Sequence, residues 1–195
     1  MEIIFATRNK GKLKEVKEIL KDHIVFGMEE IGIDIEVIED GNTFEENALK
    51  KAVEIMKAAG KVVLSDDSGM EIDCLNKEPG VQSAYFLGEH TPYAERNAII
   101  LDMLKDVRDN ERGARYVAVI AAAFPDGRTL LSKGIMEGYI GYEQRGENGF
   151  GYDSIFYPKG YDKSVAELSS EAKNGISHRG IALREMEGLL REMNT

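Results

Sequence analysis

The chain has 195 residues, 43% hydrophobic and 31% charged, a balance typical of a soluble globular protein with a proper core. Its 35 acidic and 25 basic residues leave a formal net charge of −10. That charge disfavours a protein that binds DNA or RNA backbones through a basic face, but it allows a nucleotide held by local cations and a metal. Cys74 is the only cysteine, so a disulfide framework is excluded and we expect Cys74 to be a small buried apolar residue.

The sequence contains no apolar run of membrane-spanning length and no basic start of a secretory signal. We therefore expect a cytoplasmic protein without membrane contact. The length is that of one domain, or of one domain with two lobes, over residues 1–195.

A polar turn, Thr7-Arg8-Asn9-Lys10-Gly11-Lys12, follows a short buried strand at Ile3 to Ala6 and precedes a helix from about Leu13. A strand, a polar turn and a helix in this order direct free backbone N–H groups and a positive dipole end at an anion. The hydroxyl, amide and ammonium groups of the turn could add further donors. A helix cap followed by solvated lysines explains the same residues, and both interpretations stay open.

Ile31 to Ile38 alternates apolar and polar residues, which predicts a strand with one exposed face. The capping box at Thr43 and Glu46 predicts a helix that continues to about Ala59. Capping accounts for Glu46 without a catalytic role, whereas Glu39, just before the helix, is available as a ligand. The helical spacing predicts that this helix buries Leu49, Ala52, Val53 and Met56.

Two adjacent carboxylates, Asp66 and Asp67, follow the apolar run Val62 to Leu64, which predicts a buried strand ending in a turn from Ser65 to Gly69. Carboxylates at the mouth of a buried strand are costly unless a cation lies beside them. Magnesium suits such a place because it prefers hard oxygen ligands, including substrate phosphates. The alternative is a polar turn whose side chains bond to local backbone N–H groups.

The sequence after this aspartate pair predicts a strand, two helices and a hairpin. A strand from Met70 to Leu75 precedes a helix that opens at Thr91-Pro92 and runs to about Val107. Two strand-like runs, Arg115 to Phe124 and Arg128 to Ile140, predict a long hairpin. The last helix begins near Ser177 and is predicted to bury Ala182, Met186, Leu189 and Met193.

Two further groups of residues could contact a ligand. Gly149-Phe150-Gly151-Tyr152-Asp153 places two aromatic residues and a carboxylate among glycines, so an aromatic face could stack on a nucleobase. Lys173 and Ser177-His178-Arg179-Gly180 could form a donor-rich pocket for a carbonyl or a phosphate. A tight bend with buried aromatics and a structural histidine remain as the alternatives.

Taken together, these motifs resemble those of the inosine triphosphate pyrophosphatase family, which acts on non-standard purine nucleoside triphosphates. The resemblance runs from Thr7 nearly to the C-terminus and preserves the order of the family's motifs. The matching segments are Thr7-x-Asn9-x-x-Lys12, Thr43-Phe44-x-Glu46-Asn47-Ala48, Asp66-Asp67-Ser68-Gly69, Pro79-Gly80, Gly149-Phe150-Gly151-Tyr152-Asp153 and Ser177-His178-Arg179-Gly180.

The resemblance implies an elongated, two-lobed α/β fold on a long mixed β-sheet flanked by helices, with an active-site cleft between the lobes and usually a homodimer. It implies hydrolysis of ITP, dITP and XTP to the nucleoside monophosphate and pyrophosphate, with Mg²⁺ as cofactor. Asp67 would be the general base and a magnesium ligand, and Glu39 an approximate match to a metal-proximal acid. Substrate contacts would come from Thr7, Arg8, Asn9, Lys10, Gly11, Lys12, Lys51, Ser68, Phe150, Gly151, Tyr152, Asp153, Lys173, His178 and Arg179.

Within this set, the resemblance assigns the triphosphate to the turn from Thr7 to Lys12, with Lys51 nearby. Phe150 would stack on the base and Asp153 would bond to its edge. Lys173, His178 and Arg179 would line the base pocket or reach the phosphates.

Three other functions compete with this one. A phosphatase with an aspartate nucleophile, as in haloacid-dehalogenase-like enzymes, needs an Asp-x-Asp arrangement after the first strand, whereas this adjacent pair follows a later one. A nucleotide-sensing module would bind the triphosphate with magnesium but not turn it over. A dinucleotide-binding domain is disfavoured because the first turn lacks the Gly-x-Gly-x-x-Gly fingerprint.

Overall fold

The computed structural model describes residues 1–193, in which strands and α-helices alternate along much of the chain. None of the helices in those residues is both long enough and apolar enough to cross a membrane. The elements are β1 Glu2–Phe5, α1 Lys10–Ile19, β2 Ile24–Gly27, α2 Phe44–Ala59, β3 Val63–Ile72, α3 Tyr93–Met103, β4 Gly113–Ala123, β5 Thr129–Ile140, β6 Phe156–Pro158, α4 Ser170–Ile176 and α5 His178–Glu192.

The strands form one six-stranded sheet in the order β2-β1-β3-β4-β5-β6. β1 is parallel to both β2 and β3, whereas β6 is antiparallel to β5. The predicted mixed α/β fold is therefore confirmed. The parallel arrangement matters for function because β1 and β3 are neighbours in the sheet. One carries the polar turn at its end, and the other contains the two aspartates.

The chain divides into two compact units. The first contains Met1–Asp67, Ala118–Gly134 and, within the described residues, the segment that begins at His178. Its core is built from buried side chains of β1, β3, β4, α1 and α5. The second contains Ser68–Val117 and Ile135–Ser177, and its core includes Met70, Ile100, Tyr116, Ile140 and Phe156.

Helix α2 begins and ends close to the predicted positions because its capping residues act locally. The Thr43 side chain accepts from the Glu46 N–H, and the Glu46 carboxylate accepts from the Asn42 N–H. Gly60 ends the helix with φ of 62°, a left-handed conformation that glycine adopts without strain. The buried face of the helix is rotated by one residue from the predicted face. Ala48, Ala52 and Ile55 are buried, and the predicted residues that follow them are only half-buried: Leu49, Val53 and Met56.

Three sequence predictions are wrong. Ile31 to Ile38 is not a strand: a 3-10 turn covers Glu29–Ile31, and the following segment is irregular with Ile35 and Ile38 exposed. No turn interrupts the chain at Ser65 to Gly69, because β3 continues through both aspartates to Ile72. Cys74 is exposed rather than buried, since it lies in the 3-10 turn Asp73–Leu75 after β3 ends.

Candidate active site

The turn after β1 forms the N-terminus of α1. The Thr7 hydroxyl accepts from the Asn9 N–H at 3.1 Å, and the Asn9 side chain caps α1 by accepting from the Lys12 N–H at 3.1 Å. Arg8 extends into solvent, where its guanidinium lies 2.7 Å from the carboxylate of Asp34. The predicted helix is present, but α1 begins at Lys10, three residues earlier than predicted. A capped helix N-terminus flanked by cations is suited to bind an anion.

Asp66 is the centre of a buried ion-pair network within the first unit. Lys12 Nζ lies 3.1 Å from its carboxylate, and Arg179 donates to it from Nε and Nη2, both at 3.0 Å. The Nη1 atom of Arg179 donates to Glu15, one helical turn after Lys12 on α1. Burial alone would raise the pKa of Asp66, but Lys12 and Arg179 overcome it and hold that pKa well below its usual range. Asp66 therefore stays ionised and positions two cations rather than accepting a proton.

Asp67 has a different environment from its neighbour. Its side chain is only 6% exposed, and burial raises its pKa to about 6 against the opposing charges of Lys51 and Lys12, with Glu39 adding to the rise. Asn47 from α2 donates a hydrogen bond to the carboxylate. Of the two adjacent carboxylates, Asp67 is thus the one suited to take a proton from a nucleophile.

Asn47 connects Asp67 to the segment that carries Glu39. Its Oδ1 atom accepts from the Gly41 N–H at 2.8 Å, and a Cβ on Gly41 would lie 2.7 Å from the same oxygen. Only glycine at position 41 allows this close approach. Asn47 is 3% exposed, so its amide is fixed by packing as well as by these bonds. Asn47 belongs to a matched motif, but its role as an orienting residue was not predicted.

Glu39 and Lys51 form an ion pair of 2.7 Å near Asp67. The described residues contain no group of three or more His, Cys, Asp or Glu side chains arranged to hold a metal ion by themselves. Two carboxylates, Asp67 and Glu39, nevertheless lie close enough that the charge of Glu39 raises the pKa of Asp67. This donor set fits magnesium, which commonly binds through one or two carboxylates and completes its coordination with water and phosphate.

The first turn of α5 brings His178 and Arg179 into the first unit. Both side chains are buried, at 4% and 2% exposure. Gly134 of β5 allows the helix to pack this closely, because a Cβ there would lie 2.0 Å from the His178 carbonyl oxygen. The resemblance placed Arg179 in the base pocket or at the phosphates, but all three of its nitrogen atoms donate to Asp66 or Glu15. Glu15 was not predicted, although its spacing from Lys12 places both on one helix face.

The aromatic turn, Gly149-Phe150-Gly151-Tyr152-Asp153, lies in the second unit, and both of its glycines have left-handed backbone conformations. Gly149 and Gly151 have φ of 75° and 69°. Asp153 is buried, and its Oδ2 atom accepts from the Phe150 N–H at 2.9 Å and from Lys173 Nζ at 2.7 Å. Its Oδ1 atom accepts from the Tyr116 hydroxyl at 3.3 Å. A bond from Asp153 to a base edge would therefore share these oxygens with three protein donors.

The two aromatic side chains of this turn differ in accessibility. Tyr152 is 2% exposed and donates from its hydroxyl to the Ser83 carbonyl oxygen at 2.7 Å, so it supports the turn from within the core. Phe150 is half-buried, and Lys173 Nζ lies 4.5 Å from its ring centroid. Ser68 is half-buried in β3, at the first position of the second unit. Phe150 is therefore the side chain of the turn that a planar ligand can reach.

Comparison with known families gives a consistent result. Residues 3–189 match a model of the Ham1 family. The chain is similar to the dITP/XTP pyrophosphatase of Bacillus subtilis, at 46% identity over 191 residues that cover 97% of this chain and 96% of that protein. It is also 44% identical to the dITP/XTP pyrophosphatase of Clostridium perfringens over 198 residues, covering 97% of both chains.

Solved structures agree with these sequence matches. The Ham1 protein of Staphylococcus aureus superposes with a TM-score of 0.87 at 41% identity, covering 99% of this chain and 100% of that one. A Ham1 protein of Coxiella burnetii gives a TM-score of 0.88 at 39% identity, covering 98% and 99% of the two chains.

Proposed function

The chain belongs to the Ham1 family, and from this premise we propose that it hydrolyses the non-standard purine nucleoside triphosphates ITP, dITP and XTP. The products are the nucleoside monophosphate and pyrophosphate, so the reaction removes these nucleotides from the pool. One observation of the structure carries the proposal. A buried carboxylate, Asp67, lies among Lys12, Lys51 and Glu39 beside a capped helix N-terminus. This arrangement provides a proton acceptor, cations for phosphates and oxygen ligands for a metal.

The triphosphate is held by the N-terminus of α1 and by the cations around it. The turn would offer an anion both positive charges and hydrogen-bond donors. These come from its backbone N–H groups and from the side chains of Thr7, Arg8, Lys10 and Lys12. Arg8 and Lys51 are each paired with a carboxylate, Asp34 and Glu39 respectively. Substrate phosphates would replace those carboxylates as partners.

The reaction is an attack of water on the α-phosphorus. The water oxygen forms a bond to the α-phosphorus, its proton passes to the Asp67 carboxylate, and the bond to the oxygen that bridges the α- and β-phosphates breaks. Pyrophosphate leaves with that oxygen. Asn47 keeps the Asp67 carboxylate oriented by its hydrogen bond, and Lys12 and Lys51 offset the charge that develops on the phosphates.

We propose that Asp67 and Glu39 hold Mg²⁺ together with the substrate phosphates. When bound, the ion supplies Lewis-acid stabilisation of the phosphate charge. Titrating the purified, chelator-treated protein with MgCl₂ by calorimetry in the presence of a non-hydrolysable nucleoside triphosphate tests this. Absence of magnesium-dependent binding, or equal binding by Glu39→Gln, would contradict it.

Base selection depends on hydrogen-bond donors beside the Phe150 ring. Hypoxanthine and xanthine carry an acceptor oxygen at C6, whereas adenine carries an amino donor there. We propose that Lys173 meets the oxygen, because its Nζ atom lies 4.5 Å from the Phe150 ring centroid. A site of buried donors rejects a donor-bearing analogue strongly, by up to about 10⁴-fold in comparable enzymes. Rejection of guanine needs a second contact, with its 2-amino group.

The decisive experiment measures which product leaves. Purified protein is incubated with ITP, XTP, GTP and ATP, and orthophosphate is assayed with and without added inorganic pyrophosphatase. We expect signal from ITP and XTP only when the pyrophosphatase is added. Orthophosphate without it would favour the aspartate-nucleophile phosphatase, and tight binding without turnover would favour a nucleotide-sensing module. Asp67→Asn serves as the inactive control.

We also propose a cytoplasmic homodimer. The cytoplasm is where a nucleotide pool would be available to such an enzyme. Support for self-association comes from an aromatic groove in the second unit, in which Tyr139 and Tyr142 are 40% and 61% exposed and which Arg145, with a side chain 54% exposed, also lines. Exposed aromatic and arginine side chains are enriched at protein interfaces. Light scattering should give twice the chain mass, and Tyr142→Glu should lower it; a monomeric wild type would contradict the proposal.

A further inference from the structure

Tyr93, the first residue of α3, is an accessible aromatic residue beside the Phe150 turn. Its side chain is 37% exposed, and a Cβ built on Gly151 would lie 3.9 Å from its ring. We propose that Tyr93 is a second aromatic wall of the purine-binding site and contacts the base together with Phe150. This assignment rests on the proposed function, because it assumes that the turn receives a purine.

Tyr93, rather than Tyr152, presents an aromatic surface next to Gly151. The two rings meet edge to face, with centroids 5.2 Å apart and planes at 87°. Tyr152 lies on the inner side of this pair and is 2% exposed, whereas Tyr93 lies on the outer side. A planar ligand at the turn can therefore reach Phe150 and Tyr93 but not Tyr152.

Helix α3 is fixed to the turn, so the position of Tyr93 relative to it is fixed as well. Asn97, one helical turn after Tyr93, donates from Nδ2 to the Gly151 carbonyl oxygen at 3.1 Å and to the Ser154 hydroxyl at 3.0 Å. Asn97 is 2% exposed. Residues four apart share one face of a helix, so the face that is bonded to the turn is the face that carries Tyr93.

A buried cation packs on the Tyr93 ring. The guanidinium of Arg96 lies 4.8 Å from the ring centroid, and it is held by the backbone carbonyl oxygens of the segment after Pro79. Those acceptors are Ser83, Ala84, Gly88 and Glu89. Because Arg96 is 2% exposed and anchored at both terminal nitrogens, it immobilises the ring before any ligand binds. A preorganised ring loses little entropy on contact with a base.

Phe150 and Tyr93 share this construction. Lys173 lies 4.5 Å from the Phe150 ring centroid, as Arg96 lies 4.8 Å from that of Tyr93. Each ring thus has a largely buried cation on it and remains partly accessible. The positive charge draws electron density from the ring and favours a partner with carbonyl oxygens. Oxo-substituted purines, such as hypoxanthine and xanthine, have that character.

The test compares kinetic constants for ITP and XTP among variants of the full chain. Tyr93→Ala should raise KM by about 5- to 30-fold, the lower part of the range for loss of one base-stacking side chain, and change kcat by less than about twofold. Tyr93→Phe should stay close to wild type because it keeps the ring. Tyr161→Ala is the matched control, since Tyr161 is 39% exposed in the same unit.

A ligand that lacks a base shows whether Tyr93→Ala has lost only its contact with the base or is misfolded. Inorganic tripolyphosphate should inhibit the wild type and Tyr93→Ala with equal inhibition constants. Tyr93→Leu retains apolar bulk against Tyr152 and should show the same rise in KM, which decides the matter if the alanine variant does not fold. An unchanged KM in the leucine and alanine variants, or an equal loss of tripolyphosphate affinity, would overturn the proposal.

The outcomes also distinguish this inference from the proposed function. If the wild type releases pyrophosphate from ITP and Phe150→Ala raises KM, but Tyr93→Ala does not, only the role of Tyr93 fails. If the wild type leaves ITP and XTP intact, the purine site itself is refuted and the role of Tyr93 is refuted with it.

Discussion

Asp67→Asn should make the metal-free protein more stable while abolishing turnover. Burial places the ionised carboxylate in an unfavourable environment, and the charge of Glu39 adds to the cost. Asparagine has nearly the same shape and can still accept the hydrogen bond from Asn47, but it carries no charge. The variant thus removes the unfavourable charge without creating a cavity.

The magnitude follows from the pKa of Asp67. Each pH unit by which a pKa moves corresponds to about 1.4 kcal/mol. The rise from 3.8 to about 6 therefore amounts to about 3 kcal/mol. Because the folded pKa is the higher one, the protonated carboxyl stabilises the folded protein below the unfolded value of 3.8. That stability is lost as the pH rises through about 6. Above this pH, the full difference in the free energy of unfolding between Asp67→Asn and the wild type is present.

Urea unfolding followed by circular dichroism, in a chelator, measures this difference. At pH 7.5 the free energy of unfolding of Asp67→Asn should exceed that of the wild type by about 3 kcal/mol. The gap should narrow by about 2 kcal/mol at pH 4.5 as the wild-type carboxyl becomes protonated. Asp106→Asn, which removes an exposed carboxylate elsewhere, controls for the change in net charge.

Two results would refute this reasoning. One is a gap between Asp67→Asn and the wild type that does not change with pH. The other is a variant less stable than the wild type at pH 7.5. Magnesium with a bound triphosphate analogue should reverse the order, because ligands that bind only the folded state stabilise it and the variant lacks a metal ligand.

Three further predictions concern packing, orientation and stacking. Gly134→Ala should destabilise the protein by about 2 kcal/mol or more because its Cβ would overlap the first turn of α5. Gly188→Ala, with open space around it, should be neutral or stabilising; urea unfolding compares the two, and equal effects would contradict the packing argument. Asn47→Ala should lower kcat by about 10-fold with little change in KM, since Asp67 loses an orienting donor; an unchanged kcat would count against that role. Phe150→Ala should raise the KM for ITP by about 10-fold, and an unchanged KM would argue against stacking.

Local signals made part of the fold predictable. The start of helix α2 was located from Thr43 and Glu46, which act within its first turn. The strand predicted at Ile31 to Ile38 was wrong for the opposite reason. The alternation of apolar and polar residues matches a strand, but a strand also needs a neighbouring strand to pair with. β2 occupies the sheet edge beside β1, and the irregular segment finds no such partner in the described structure.

The extent of β3 could not be predicted because it depends on distant charges. A pair of aspartates normally ends a buried strand, and the sequence around them gives no reason to expect otherwise. In the structure, Lys12 from α1 and Arg179 from α5 compensate Asp66, so the strand continues. The same reason explains why Glu15 was missed: its partner, Arg179, lies 164 positions away in the chain.

The ion-pair network around Asp66 has a consequence for how the protein is made. Its cations come from distant parts of the sequence, Lys12 on α1 and Arg179 on α5. During synthesis, a ribosome exposes Asp66 and Lys12 long before Arg179 emerges. Until then the growing chain holds Asp66 and Glu15 without the guanidinium that joins them. The first unit can therefore reach its final stability only after α5 has been synthesised, whereas every segment of the second unit has by then been made.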